Sequence, residues 1–246
     1  MTAKKPATEK SRLSSQEREK QIVLAAVEFF AEVGFGGDTR QLARRLGVTQ
    51  SLIYKHFPTK DALIDRVYEE VYVGRWNPFW EAVIQDRSIA LTPRLVSLYV
   101  EYAKAALTRD WVRIFMFSGL RGEGINKRYL ETLKNRILVP IAIELRHDLG
   151  LPDIKSVPLK TAEIELVWSI NARIFYFGQR RWIFDVPIED DVDEMITYFQ
   201  VNGTMNYVDP YGKHLGYEDV FTKIDMCRAH FEEVGLGADY VKTFIR

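Results

Sequence analysis

The stretch Asp38–Lys60, DTRQLARRLGVTQSLIYKHFPTK, has the pattern of two short helices joined by a tight turn. Asp38 with Gln41 forms a capping box that starts the first helix. Gly47 supplies the left-handed residue that ends it, and Thr49 caps the second helix. This arrangement predicts a helix-turn-helix, a motif whose second helix enters the major groove of DNA.

The second of these helices has two faces of different character. Its apolar side chains share one side: Leu52, Ile53 and Phe57. Its polar side chains share the other: Gln50, Ser51, Tyr54 and Lys55. We expect Gln50 and Ser51, at the leading end, to reach base edges, and Lys55 to reach a guanine or a phosphate.

The net charge of the chain is zero, but the charge is unevenly distributed over its 246 residues. Residues 1–60 hold eleven Lys/Arg and six Asp/Glu, a net charge of +5, so the remainder carries −5. A basic amino-terminal module on an acidic body is suited to binding a polyanion at one end. A chance fluctuation in charge would produce the same numbers.

Several classes of protein are disfavoured by the composition. Cys227 is the single cysteine, which excludes an internal disulfide framework and a cysteine-based zinc site. The acids that follow Pro187 are typical of a helix start rather than a metal site. The start of the chain is polar and no apolar stretch is long enough to span a bilayer. We expect a cytoplasmic protein with no cofactor, no metal and no membrane association.

The rest of the chain also has helical periodicity, so the predicted fold class is all-α. After residue 74 the candidate helices are 78–87, 93–108, 110–120, 125–149, 159–184 and 188–203, with shorter ones at 217–234 and 238–245. The predicted organisation is a disordered arm at 1–12, a DNA-binding domain with a linking fourth helix at 13–73, a ligand-binding and dimerisation domain at 74–205, and a helical extension at 206–246 that follows a turn-rich segment.

Residues 39–64, TRQLARRLGVTQSLIYKHFPTKDALI, resemble the TetR/AcrR family of bacterial transcriptional regulators. The motif comprises the aromatic Tyr54, then His56-Phe57 and Thr59-Lys60-Asp61. The preceding AVEFFAEVGF fits the first helix of the family, and the resemblance covers roughly residues 14–72. It implies a three-helix DNA-binding domain that a fourth helix links to a ligand-binding, dimerising helical body.

The resemblance also implies phosphate contacts by Tyr54, His56 and Lys60, and by Thr39 and Arg40 at the start of the second helix. Together with the three residues placed above, the predicted DNA-binding set is Thr39, Arg40, Gln50, Ser51, Tyr54, Lys55, His56 and Lys60. Tyr54 and His56 have an alternative role as packing residues with satisfied polar tips.

A DNA-binding module of this size is expected to work as a homodimer on a near-palindromic operator. By the resemblance, the dimer surface comprises the helices at 159–184 and 188–203. The first of these has an apolar face made of Ile164, Val167, Trp168, Ile174, Phe175 and Trp182. The same face would alternatively be the buried centre of each subunit.

The body is expected to hold a small, largely apolar effector whose binding releases a repressor from DNA. All five tryptophans lie between residues 74 and 184. Four polar residues sit within apolar helices and need partners, either one another or a ligand: Glu101, Arg113, Asn171 and Arg173. The candidate ligand-binding residues are Trp80, Glu101, Tyr102, Arg113, Phe117, Trp168, Asn171 and Phe175.

Two other functions compete with DNA binding. An enzyme is disfavoured because the chain has no Gly-rich phosphate loop, no nucleophile elbow and no histidines at metal-ligand spacing. A helical interaction protein that has lost DNA binding is disfavoured because Gln50, Lys55 and Lys60 form a basic face that is expected to be exposed to solvent. We therefore expect a regulator that is not an enzyme.

Overall fold

The computed structural model describes residues 14–122 and 124–188, and the backbone of residues 206–208 and 214–216. Its helices are α1 (Ser15–Val33), α2 (Thr39–Leu46), α3 (Gln50–His56), α4 (Lys60–Tyr68), α5 (Phe79–Gln85), α6 (Leu91–Ala106), α7 (Arg109–Arg121), α8 (Ile125–Leu133), α9 (Val139–Asp148) and α10 (Thr161–Trp182). The predicted arm at 1–12, the helix at 188–203 and most of the extension at 206–246 lie outside the described residues.

The start of α1 is fixed by its local sequence. The Ser14 hydroxyl accepts a hydrogen bond from the Glu17 backbone N–H, and the Glu17 carboxylate accepts one from the Ser14 N–H. This reciprocal pair is the capping box that satisfies two donors at a helix start. At the other end Gly34 adopts a φ of 70°, a backbone conformation that favours glycine.

Buried aromatic and aliphatic side chains hold the first three helices together. Phe30 lies between Phe29 and Phe35, with ring centroids 5.6 and 5.0 Å away. Leu42 from α2 and Ile53 from α3 are buried in the same core. This core determines which face of α3 remains accessible.

The fourth helix extends the amino-terminal domain toward the body. Thr59 accepts a hydrogen bond from the Ala62 backbone N–H and starts α4. After Tyr68 the helix continues as a π-helical turn over Glu69–Val73. The predicted end at Asn77-Pro78 is therefore a few residues too late, and the helix changes its hydrogen bonding before it stops. Such turns often occur at functional positions.

Helices α5 to α10 form the body around a continuous apolar core. The long predicted helix at 125–149 corresponds to α8, a π-helical turn at Lys134–Leu138, and α9. The predicted helix at 159–184 corresponds to α10. The strands β1 (Asn206–Val208) and β2 (His214–Gly216) pair antiparallel within the segment predicted to be rich in turns. The predicted all-α class is confirmed, with this small ribbon as a local addition.

Candidate functional site

The turn that presents α3 is built largely from the residues expected from the sequence. The Asp38 carboxylate caps α2 by accepting a hydrogen bond from the backbone N–H of Arg40 at 2.9 Å, so the predicted capping box with Gln41 is wrong. Gly47 has a φ of 64° and ends that helix. Thr49 then accepts a hydrogen bond from the Leu52 backbone N–H and starts α3. These local interactions fix where the second helix begins and which way it leaves the turn.

Burial agrees with the two faces predicted for α3, except that Leu52 and Gln50 are both half-buried. Ile53 and Phe57 are buried, whereas Ser51, Tyr54 and Lys55 are exposed. The ammonium group of Lys55 has no hydrogen bond or ion pair within the part of the chain that the structure describes. Lys55 is thus available to a partner outside the domain.

A hydrogen-bonded network joins the start of α2 to the exposed face of α3. The Gln50 amide donates to the Thr39 hydroxyl at 2.8 Å, and Arg40 Nε donates to Gln50 Oε1 at 3.3 Å. The hydroxyls of Thr39 and Tyr54 lie 3.1 Å apart. Both ends of the Gln50 amide therefore have partners inside the domain, a structural role that was not anticipated from the sequence.

The remaining predicted DNA-binding residues differ in their surroundings. The Ser51 hydroxyl lies 3.0 Å from that of Thr49 at the leading end of α3. His56 is half-buried, with its ring centroid 6.5 Å from that of Phe57. The Lys60 ammonium donates to the Phe35 carbonyl, so it joins the start of α4 to the loop between α1 and α2. The structure brings all eight predicted residues to α2, α3 and the start of α4.

A cluster of aromatic side chains forms the centre of the body. Trp80 packs edge-on against Tyr102 at 5.4 Å, and the hydroxyls of Tyr102 and Tyr129 lie 3.0 Å apart. Trp111 contacts both Tyr129 and Phe175, with ring centroids 5.0 and 5.7 Å away. Three of the predicted ligand-binding residues therefore belong to one cluster.

The cluster contains buried polar atoms that have no hydrogen-bond partner among the residues the structure describes. They are Trp80 Nε1, Tyr99 Oη and Asn171 Oδ1. Burial raises the pKa of Tyr102 to about 12, although the neighbouring Tyr129 and Asn171 side chains act in the opposite direction. An unpartnered buried polar atom is costly, so such atoms indicate a binding site or bound water. Tyr99 is an addition to the predicted set.

Three predicted ligand-binding residues, Glu101, Arg113 and Phe117, have their partners away from this cluster. The Glu101 carboxylate pairs with Lys104 at 2.7 Å, and both side chains are more than 40% exposed. The Arg113 guanidinium donates to backbone carbonyls of α1 and α10, and its carbon lies 5.4 Å from the centroid of Phe117. The Phe117 ring packs against Gly34 at the end of α1. The partial burial of Trp168 places it at the edge of the core.

Neither a metal site nor a membrane span is found in the described residues. Over residues 14–122 and 124–188, no three His, Cys, Asp or Glu side chains are grouped to hold a metal ion. The helices of these segments are too short or too polar to cross a bilayer.

The amino-terminal domain is similar to known regulatory proteins. Residues 22–67 match the family profile described as "Bacterial regulatory proteins, tetR family". Over 49 residues the chain is 47% identical to the tetracycline repressor protein class A from transposon 1721 of Escherichia coli. This match covers 20% of the chain and 23% of the length of that relative.

The likeness to solved structures extends over the body as well. A TetR-like transcriptional regulator from Rhodococcus sp. RHA1 superposes with a TM-score of 0.55 at 15% identity, covering 78% of this chain and 98% of the other. A TetR family regulator from Pseudomonas syringae pv. tomato gives a TM-score of 0.52 at 16% identity, covering 78% and 96%. At such identities the likeness shows the fold alone, and the family match rests on residues 22–67. The amino-terminal domain of the chain is therefore that of the TetR family of bacterial regulatory proteins.

Proposed function

We propose that the chain is a repressor that binds a near-palindromic operator as a homodimer and is released by a small, largely apolar effector. The observation that carries the proposal is the accessible polar face of α3, with Ser51, Tyr54 and Lys55 exposed. Gln50, Ser51 and Lys55 would contact base edges, with Lys55 reaching a guanine or a phosphate.

Phosphate contacts would come from the residues around α3. Arg40, Tyr54 and Lys60 offer N–H and O–H groups beside the recognition helix. Thr39 and His56 complete the set. Since the Gln50 amide already has partners in the free protein, its contact with a base would require the hydrogen bonds to Thr39 and Arg40 to rearrange. We therefore assign Lys55 the larger share of base discrimination.

The proposed dimer uses the outer face of α10. The face that includes Val167 and Ile174 is buried within the subunit, the alternative that the sequence had left open. On the other side Tyr176 and Phe184 are 51% and 54% exposed, with ring centroids 6.4 Å apart. Exposed aromatic pairs are enriched at protein interfaces. A second copy of the chain would cover this surface.

Selection of bound duplexes from a random pool by the purified protein tests the proposed function directly. We expect enrichment of an inverted repeat, because a symmetric dimer presents two copies of α3 related by a two-fold axis. Binding should weaken steeply as the salt concentration rises, since phosphate contacts release counterions. Enrichment of no sequence, or binding that bulk DNA does not compete for, would favour an interaction protein that kept this fold.

The proposed effector site is the aromatic cluster around Tyr102. Trp80, Tyr102, Asn171 and Phe175 would contact the effector, and the unpartnered atoms would supply both donors and an acceptor. Tyr99 and Tyr102 have raised pKa values because of burial, with no charged side chain among the causes. An uncharged ligand with one or two polar groups fits this environment better than an ion, which would be buried without a counterion.

Tyr99→Phe should stabilise the effector-free protein but weaken effector binding. In the effector-free protein it removes a buried hydroxyl that has no partner among the described residues, so the free energy of unfolding should rise by up to about 1–3 kcal/mol. Effector binding should weaken by about 0.5–1.5 kcal/mol, because one hydrogen bond to the ligand is lost.

Urea unfolding and a titration with an effector identified by thermal stabilisation would measure the two effects. The matched control for effector affinity, measured without DNA, is Tyr54→Phe, because that hydroxyl lies beside Thr39 in the DNA-binding domain, away from the proposed effector site. Effector affinity that is the same in Tyr99→Phe and in the control would remove Tyr99 from the site.

A further inference from the structure

One arginine of α7 joins the ends of two helices from different parts of the chain. Arg113 Nε donates to the Ala31 carbonyl and Nη2 donates to the Glu32 carbonyl at 3.3 Å, both in the last turn of α1. Its Nη1 donates to the Trp182 carbonyl at 3.0 Å, at the last residue of α10. The guanidinium therefore contacts the DNA-binding domain and the long helix of the body at the same time.

These carbonyls are the groups that a helix leaves without partners at its carboxyl end. A cation at that position also interacts favourably with the helix dipole. Arg113 supplies both effects to two helix ends, and it can do so because a guanidinium carries several N–H groups in a planar fork. The interaction depends on the relative position of α1 and α10, since one rigid group has to reach both.

The packing around Arg113 leaves little room for α1 to move along α7. The Phe117 ring lies so close to Gly34 that a Cβ there would approach its Cδ1 to 2.9 Å. On the other side, Trp182 Nε1 donates to the Leu107 carbonyl at 2.7 Å and holds the end of α10. Both helix ends joined by Arg113 are thus fixed by close neighbours.

We infer that Arg113 is a positioning residue that sets the orientation of the DNA-binding domain relative to α10. This inference rests on the proposed function, because α10 carries the proposed dimer surface. If α10 fixes the two-fold axis, the angle between α1 and α10 determines the distance between the two recognition helices. Arg113 thereby contributes to the choice of half-site spacing.

A second arginine between the domains has a different character. Arg128 pairs with Asp65 at 2.7 Å and lies 3.9 Å from the ring centroid of Tyr68. Its side chain and the Asp65 carboxylate are 47% and 66% exposed, so salt and water weaken the pair. Arg113 has backbone partners at fixed positions and is only partly accessible. We therefore assign the positioning role to Arg113.

The first test measures the domain orientation within one subunit. With Cys227 replaced by serine, Glu28→Cys on α1 and Glu165→Cys on α10 carry spin labels, and excess unlabelled chain isolates the intrasubunit distance. We expect a single narrow distance distribution, which Arg113→Met should broaden or shift. Arg136→Met is the matched control, because Arg136 bonds Glu81 and covers Trp76 within the body. A distribution unchanged in Arg113→Met would overturn the inference, whether or not the protein dimerises.

The second test measures spacing preference on the selected inverted repeat. The wild-type protein should prefer one spacing, and Arg113→Met should bind it about 5- to 150-fold more weakly, the usual range of a coupling between two sites. On repeats lengthened or shortened by one base pair, the variant should bind as well as the wild type or better. An equal loss at every spacing would show that Arg113 only supports the fold.

The conservative variant separates positioning from folding. Arg113→Lys keeps the charge but lacks the planar guanidinium with its several N–H groups. It should therefore unfold cooperatively on heating, as the wild type does, but lose most of the preference for one half-site spacing. Full recovery of the preference in Arg113→Lys would contradict the role given to simultaneous contacts with α1 and α10. If the wild-type protein does not bind DNA, the proposed function is refuted. The spin-label distances would still test whether Arg113 fixes the position of α1 relative to α10.

Discussion

Replacing Glu144 by alanine should lower the free energy of unfolding by about 3–5 kcal/mol, the usual cost of removing one partner of a buried ion pair. The Glu144 carboxylate is 7% exposed and accepts a hydrogen bond at 2.9 Å from Arg94, which is 3% exposed. It also accepts two hydrogen bonds from Nε and Nη2 of Arg87. Without the carboxylate, the Arg94 charge would remain buried with no counterion.

The ion pair lies where three helices of the body meet. Arg94 on α6 also donates to the Ile84 carbonyl near the end of α5, and Glu144 belongs to α9. Urea unfolding followed by circular dichroism would measure the loss in stability. Glu131→Ala, at an exposed position of α8, is the matched control and should change stability by less than about 0.5 kcal/mol. A similar midpoint for both variants would show that the buried pair contributes little.

The same carboxylate should make stability depend on pH in the acidic range. Hydrogen bonds from Arg87, and then from Arg94, hold the pKa of Glu144 below its ordinary value, although burial acts in the opposite direction. Because the folded state then binds fewer protons, the contribution is fully present above about pH 4.3 and is lost as the pH falls through the folded pKa. In Glu144→Gln this part of the acid dependence should disappear, since the amide does not titrate in that range.

The helix-turn-helix was predictable from the sequence because its determinants are local. Ser14, Asp38, Thr49 and Thr59 each cap a helix within three residues of their own position, and Gly47 ends α2. Such short-range hydrogen bonds leave a signature in the order of the residues. The observed bounds of α2, α3 and the start of α4 therefore follow the pattern closely.

Contacts between residues that are far apart in the chain could not be predicted from the sequence. Arg113 was assigned to a ligand because it interrupts an apolar helix, yet its partners are backbone carbonyls up to 82 residues away. Backbone carbonyls carry no sequence signal, so no pattern would have identified them. Gln50 was placed on a solvent-exposed face because helical periodicity does not show which side chains of α2 lie beside α3, and the Thr39 and Arg40 side chains hydrogen-bond its amide.

Predictions of burial succeeded where one helix face was strongly apolar. Val167 and Ile174 on α10 are buried within the subunit, as periodicity indicates. Periodicity cannot tell whether an apolar face is covered by the same chain or by a second copy. Only the packed structure shows that Tyr176 on the opposite side is left exposed for the proposed dimer.

Lys55→Ala should weaken operator binding by about 2–6 kcal/mol in the proposed dimer. A good base contact contributes about 1–3 kcal/mol of discrimination, and one substitution removes it from both half-sites. At 1.4 kcal/mol for each factor of ten, the loss corresponds to roughly 30- to 20,000-fold in affinity. Folding should be unaffected, because Lys55 is exposed and has no hydrogen-bonded partner in the described residues.

Affinities for different operator sequences distinguish a base contact of Lys55 from a phosphate contact. If Lys55 contacts a guanine, Lys55→Ala should bind the selected repeat more weakly than the wild type does. The variant should also bind repeats with any base pair at one symmetric pair of positions with the same affinity. If it contacts a phosphate, affinity should fall on all sequences alike and the salt dependence should become shallower. Lys134→Ala removes the same charge from an exposed position of the body and is the matched control. Equal affinity and unchanged base preference in Lys55→Ala would contradict the role assigned to Lys55 and would mean that other side chains read the operator.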